Sequence, residues 1–445
     1  MSTHKPIENQ SISDDSFILD HFKNECTNKE MDFIRESTRA GLQKLRDVEL
    51  NFQDEDLMRG LWKSLIDDAI IFLKKQDTRE KYHDDRTLGT DNLLEFLKEF
   101  QRFEPILFGA VPNYREHIAH AFRVFILGQS LIKKAIGFEN IKLKEDMFKI
   151  SPQEKEAIWC LCSLTHDIGY SLEVIHYINQ RVRSMLQKFG NIPVQELEYS
   201  YFAQFGNISE FAVKFLSSDI IKMKKDEFYT HLQAKYYIKF LSALGNFNHG
   251  VISSIILMKD LVYFKESDYG LDQFKPLKIE DARQFMIRKE ILRAISSHSC
   301  ADIYYLGIKN FPFLMTVCDE MQEWGRPRLV DITKRGGSKT ELTINRFDDK
   351  IVDYKVSFSI QPEPKPSEGE KTNMQKEVET YFRKKANKWL NVLRSAVGGQ
   401  ERDLILNFTV EDKISSITKT YSMKHTDPQN IKIDPSDFSL KESSP

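Results

Sequence analysis

His166 and Asp167 stand side by side in the run Leu-Thr-His-Asp-Ile-Gly-Tyr over residues 164–170. An imidazole nitrogen and a carboxylate oxygen presented together at a helix end can share one cation. Such a mixed donor set suits Mn, Fe, Co, Ni or Zn, and Mg is also admitted. One such pair in a chain of 445 residues is a weak signal. Its weight comes from four further places where an ionisable residue borders an apolar stretch. His120 lies in His-Ala-Phe-Arg-Val, His249 precedes Gly250 and an apolar run, His298 follows Ala-Ile-Ser-Ser, and Asp319 follows the run Phe313 to Val317. Burying that many ionisable groups singly is costly, and a shared metal offsets the cost by satisfying imidazoles and carboxylates together.

Each candidate has a rival. His117 lies three residues before His120, on the same helical face, and is either the ligand itself or its neighbour in the layer behind. Glu320 competes with Asp319. Glu173 is a candidate for an outer layer around the metal, against a packing role. Cys160 and Cys162 are too closely spaced for a zinc knuckle and read as core thiols. Lys384-Lys385 reads as a solvated charge run.

The elements that must carry these residues are mostly helices. Residues 1–16 are expected to be disordered, and 17–103 to form a helical N-terminal region. Asp91 is expected to cap its third helix. A long helix is expected over Ile118 to Ile136. Ser151-Pro152-Gln153-Glu154 opens the next with a capping box and a proline at the first helical position, and this helix delivers His166-Asp167. Residues 172–246 read as a long mixed stretch with helical pieces. Further helices are expected over Val251 to Tyr263, Ile279 to Ser297 and Pro312 to Met321. Together, 104–324 make the domain that holds the candidate site. Residues 325–424 change to strand-like alternation at Leu342 to Ile344, Ile351 to Ile360, Leu404 to Val410 and Ile417 to Met423, with Asp348-Asp349 as a turn and a helix over Glu377 to Ala396. The expected fold class is mainly α: a helical bundle with a small C-terminal α+β module and a flexible tail over 425–445.

Composition narrows the function classes. The formal charge is -2 and 41% of residues are hydrophobic, which gives no global argument for nucleic-acid binding. No uncharged apolar stretch approaches the roughly 18 residues of a membrane span. Five cysteines in no framework spacing read as reduced thiols, so the expected location is the cytoplasm.

Over residues 114–324 the chain resembles the HD superfamily of metal-dependent phosphohydrolases, whose order H…HD…H…H…D is met by His120, His166-Asp167, His249, His298 and Asp319. Its Cys-Asp-Glu-Met-Gln-Glu-Trp end and His-Asp-Ile-Gly-Tyr core look most like bacterial HD proteins that offer no substrate. The resemblance implies two metals about 3.5–4 Å apart. His120, His166, Asp167 and Asp319 would hold one, and Asp167 would bridge to a second on His249 and His298. It implies hydrolysis of a phosphomonoester or phosphodiester, with a small phosphorylated compound or nucleotide as the expected partner, an oligonucleotide or other nucleic acid as a second candidate, no membrane, and an oligomer as an option. Arg123, Lys134, Arg181 and Arg183 are candidate phosphate contacts. Tyr170 is another, standing where many two-metal relatives carry Lys, and it brings a hydroxyl without a positive charge. Two alternatives use the same residues: a di-iron oxygenase, and a nucleotide-binding sensor without turnover.

Overall fold

The computed structural model describes residues 4–18, 20–21, 31–47, 55–75, 87–110, 114–143, 147–190, 201–224, 227–265, 276–300, 303, 308–326, 338–360, 376, 380–382, 384–385, 405–412 and 417–424. The chain is mainly α with a small α+β part, and it divides into two compact units. One gathers Met1–Glu30, Phe122–Lys142 and Ala301–Pro445; the other gathers Met31–Ala121 and Leu143–Cys300. The first unit is assembled from three separate stretches.

The second unit is helical. Its helices are α1 (Glu36–Asp47), α2 (Glu55–Lys75), α3 (Thr90–Ala110), the first turn of α4 (Ile118–Leu131), α5 (Pro152–Thr165), α6 (Tyr170–Phe189), α7 (Tyr201–Ser217), α8 (Ala234–Gly245), α9 (His249–Asp260) and α10 (Ile279–Ser297). Helix α5 is the central rod. Every residue from Glu154 to Thr165 is buried, as befits a helix with no polar face. It packs on α2 and α10, and α10 packs on α9. The Trp62 indole N–H of α2 donates to the Leu164 carbonyl at 2.8 Å, which pins α5 two residues before His166. The capping box at Ser151 and Glu154 is present as the sequence implies. Cys160 and Cys162 are buried core thiols, and burial pushes both well above the ordinary thiol range.

Some boundaries move. Helix α3 starts at Thr90, so Asp91 lies inside the first turn instead of capping it, and the helix runs through Pro105. Helix α4 stops at Leu131 and continues as a π turn over Ile132–Ile136, which ends at Gly137 with φ 83°. The mixed stretch contains a hairpin, β2 (Ser218–Lys224) against β3 (Glu227–Leu232).

In the first unit, α11 (Phe311–Met321) is preceded by the cap Asn310, whose side chain accepts from the Phe313 N–H. A five-stranded sheet has the order β1-β4-β5-β6-β7, with β1 (Ile7–Ile12), β4 (Ser338–Phe347), β5 (Ile351–Ile360), β6 (Ile405–Asp412) and β7 (Ile417–Lys424). Among the described residues β5 and β6 pair in parallel and the other neighbours antiparallel. Leu342, Ile344, Val352, Tyr354, Val356, Phe408 and Val410 bury its inner face. Strand β1 corrects the expectation of a disordered N-terminus. Asn9, at φ 54°, interrupts its alternation, so the buried Ile7 and Ile12 show no period-two signal, and its partner β4 lies over 300 positions away. The Asp348 turn is formed, with its carboxylate accepting from the Lys350 and Ile351 N–H groups at 2.8 and 2.9 Å. The expected tail over 425–445 and most of the expected helix over Glu377 to Ala396 lie outside the described residues.

Candidate metal centre

Four histidines and one aspartate of the helical unit converge. His120 comes from the first turn of α4, His166 and Asp167 from the end of α5, His249 from the first position of α9, and His298 from the residue after α10. His120 and His166 bring their Nε2 atoms to 3.3 Å. His249 and His298 do the same at 3.1 Å. Asp167 lies between the pairs and divides its oxygens. Oδ2 faces His120 at 3.6 Å and His166 at 3.3 Å; Oδ1 faces His249 at 3.4 Å and His298 at 3.3 Å. Donor atoms of His120, His166 and Asp167 lie within 4.8 Å of one another, as do those of Asp167, His249 and His298. His120, His166 and His298 are 0–2% exposed.

The chemistry of these donors favours a cation. His166 donates Nδ1–H to the Ser163 carbonyl at 2.7 Å, His298 to the Ile295 carbonyl at 2.5 Å, and His249 to the Glu173 carboxylate. With the proton on Nδ1, each neutral ring aims its Nε2 lone pair inwards. The His249 and His298 lone pairs, facing each other at 3.1 Å, repel unless a positive charge lies between them, either a proton or a metal ion. Asp167 adds a negative charge at the centre. This donor set could hold a metal ion.

Burial opposes ionisation of Asp167, but the imidazoles beside it, His166 first and then His298 and His117, hold its carboxyl well below the ordinary 3.8. Burial also pushes His298 below the ordinary imidazole 6.5, against the pull of Asp167. Both shifts favour the deprotonated form when folded. The unfolded chain therefore takes up protons first as the pH falls, and stability present at neutral pH is lost on acidification. Metal-free protein is expected to weaken first as the pH drops below 6.5, through His298, and again below 3.8, through Asp167. Denaturation midpoints measured from pH 8 to 3 check this, and a flat profile between 8 and 5 would contradict it.

Two glycines let the ligand-bearing segments meet. A Cβ at Gly169 would fall 2.6 Å from the His249 carbonyl oxygen and 2.7 Å from the Ser253 nitrogen. One at Gly250 would fall 2.6 Å from the Ile295 carbonyl oxygen. Ser253 Oγ fastens the same junction, accepting from the Gly169 N–H at 2.9 Å and donating to the His166 carbonyl at 2.7 Å. Because backbone atoms cannot step aside, Gly169→Ala is expected to cost about 1–3 kcal/mol in overpacking. It should also weaken metal uptake, because it moves the turn that carries His166 and Asp167. Urea unfolding and a metal titration of the variant would show both effects.

The surrounding residues sort differently from their sequence roles. His117 is buried behind the first pair, with Nε2 4.0 Å from Asp167 Oδ2, farther than His120 or His166. Its Nδ1–H donates to the Tyr114 hydroxyl at 3.1 Å, and that hydroxyl donates to Glu104 at 2.7 Å. Tyr170 stacks on His117, with ring centroids 4.0 Å apart, and meets His249 edge-on at 5.4 Å. It forms a wall between His117 and His249. Trp62, Leu97, Phe100, Leu164 and Ile168 line a small cavity against Asp167 and His117.

Arg123, a candidate phosphate contact, is instead buried in the first unit. Both Nε and Nη2 donate to the Asp15 carboxylate at 2.8 Å, and Nη1 donates to the Gly325 carbonyl at 3.0 Å. Lys134, Arg181 and Arg183 are exposed. Asp319 stands on α11, half-buried, directly after the buried Cys318. Glu320, its rival, turns to Lys385 at 2.6 Å, so its carboxylate is committed to an ion pair. Lys385 is accordingly buried, not part of a solvated run. Glu173 is the partner that sequence reasoning placed loosely; its 2.8 Å contact with the His249 N–H spans 76 positions and leaves no local pattern.

Comparison with known proteins gives no match: no family model, no curated protein and no solved structure aligns with the chain. Among the described residues no single helix is long and apolar enough to cross a membrane.

Proposed function

We propose that this protein is a two-metal phosphohydrolase of the HD type, acting on a phosphomonoester or phosphodiester, with a nucleotide or oligonucleotide as the substrate class. The observation that carries the reading is the division of Asp167: one oxygen faces His120 and His166, the other faces His249 and His298. A bridging carboxylate between two imidazole pairs is what a pair of divalent ions needs. His120, His166 and Asp167 would hold the first ion, with Asp319 of α11 assigned as its fourth ligand from the order H…HD…H…H…D. Asp167, His249 and His298 would hold the second. Bound there, such a pair supplies Lewis acidity and an activated water for in-line attack on phosphorus.

The protein's own residues do the rest. Carbonyls of Ser163 and Ile295 fix two imidazoles in the ligating tautomer. Tyr170, with its ring against His117 and His249, walls the site and offers a hydroxyl where relatives place a Lys. That hydroxyl can donate a hydrogen bond but brings no positive charge. Arg123 takes no part, being paired with Asp15.

Purified protein loaded with Mn²⁺, with the bound metal quantified, should release phosphate or nucleotide from a panel of phosphomonoesters, nucleotides and oligonucleotides. Turnover should persist without oxygen, which separates hydrolysis from a di-iron oxygenase on the same ligands. A metal-loaded protein that turns over nothing in the panel would argue instead for a nucleotide-binding sensor.

A further inference from the structure

Three imidazoles of the centre are oriented through Nδ1, and they are oriented in two different ways. His166 and His298 each follow the last turn of a helix, and each donates to the carbonyl three residues back, Ser163 or Ile295. That acceptor is supplied by the helix itself. His249 is different because it opens α9. Its counterpart three residues back, Asn246, lies outside that helix. Its own N–H is one of the orphan donors that every helix start leaves unsatisfied.

Glu173, from the first turn of α6, answers both needs with one oxygen. Its Oε2 accepts the His249 backbone N–H at 2.8 Å and also the Nδ1–H of the ring. An anion is favoured at this helix start. The half-site it serves is also the more open one. The His249 side chain is 16% exposed and that of Glu173 36%, against 0–1% for His120, His166 and His298.

Building on the two-metal reading, we propose that Glu173 makes the second metal position. It is a positioning residue that holds His249 with Nε2 turned to Asp167 Oδ1 and to His298, and it strengthens that imidazole as a donor. Carboxylate-to-imidazole-to-metal relays act in this way, and losing the outer partner costs about 10–100-fold in metal affinity. The two positions are therefore unequal. The His120–His166 side is buried, and His166 is oriented by its own backbone. The His249–His298 side depends on a side chain from another helix and is the more open at His249. The second ion is the exchangeable one, and it is the ion an incoming substrate meets.

A simple capping role for Glu173 would stabilise α9 without discriminating between the ions, so the test reads the two affinities separately. Metal-free wild-type protein titrated with Co²⁺ against a chelating competitor should take up two equivalents. Glu173→Ala should leave the first affinity unchanged and weaken the second by about 10–100-fold. Glu173→Gln keeps an acceptor oxygen for both N–H groups and should recover most of that loss. Loaded with Mn²⁺, wild type should give the spin-coupled signal of a pair, and Glu173→Ala that of an isolated ion. Circular dichroism of the metal-free variants confirms that the helices are retained. Two equivalents in wild type with an unmoved second affinity in Glu173→Ala would overturn the assignment alone. So would an equal fall in both affinities, the mark of a merely structural residue. Fewer than two equivalents in wild type would overturn the two-metal reading, and this assignment with it.

Discussion

Replacing Asp167 with alanine is expected to abolish metal uptake at both positions at once. No other residue of the centre offers a donor to both pairs: Oδ2 lies within 3.6 Å of His120 and His166, and Oδ1 within 3.4 Å of His249 and His298. The loss should exceed the roughly 10–100-fold cost of losing a partner outside the ligand set, because a ligand to both ions goes. A metal concentration that saturates wild type should leave the variant empty, and turnover should fall below detection. Asp167→Asn keeps the shape of the side chain but offers one acceptor oxygen and no charge. It should still fail to hold a pair, which separates the lost charge from a packing defect. Replacing either His249 or His298 should instead spare the first ion. An Asp167→Ala protein that keeps two equivalents would show that the convergence of these side chains is not a metal centre.

The largest effect expected on stability lies in the first unit, at Lys385. Its ammonium reaches Glu320 Oε2 at 2.6 Å and Glu323 Oε1 at 2.7 Å, and donates to the Glu320 carbonyl at 2.9 Å. All three side chains are buried, at 2–10% exposure, so solvent screens the interaction little. Removing the cation takes the Lys385 ammonium away from two buried carboxylates. Breaking a buried pair in this way costs about 3–5 kcal/mol, so Lys385→Met should destabilise the first unit by that amount despite its similar volume. Adding Glu320→Gln and Glu323→Gln should return part of the loss by removing the buried charges. Chemical denaturation of the three proteins measures this, and a change under about 1 kcal/mol in the single variant would contradict a buried clasp.

The centre was legible where it depends on local pattern. His166 and His298 each end an apolar helix, and a histidine there finds its orienting carbonyl three residues back, so sequence position and geometry coincide. Gly169 and Gly250, next to ligands, sit at close approaches that only the structure reveals. The helices themselves followed from periodicity and from the capping box at Ser151. What stayed hidden was set by pairing across long separations. Glu173 and His249 are 76 positions apart, Arg123 and Asp15 108, and Lys385 lies 65 from its Glu320 acceptor. A lone Arg or Lys in a sequence carries no mark of the carboxylate it will meet, so Arg123 read as a phosphate contact and Lys385 as a solvated charge. Strand β1 stayed hidden for the same reason: its register is dictated by β4, while its own six residues do not alternate.

The most direct test of the account is anomalous diffraction from crystals of the wild-type protein grown with Mn²⁺. Two peaks are expected, one on each side of the Asp167 carboxylate, the first against His120 and His166 and the second against His249 and His298. A single peak on the His120 side would reduce the centre to one metal. No peak at Asp167, with metal bound elsewhere or not at all, would contradict the reading of this cluster as a catalytic metal pair.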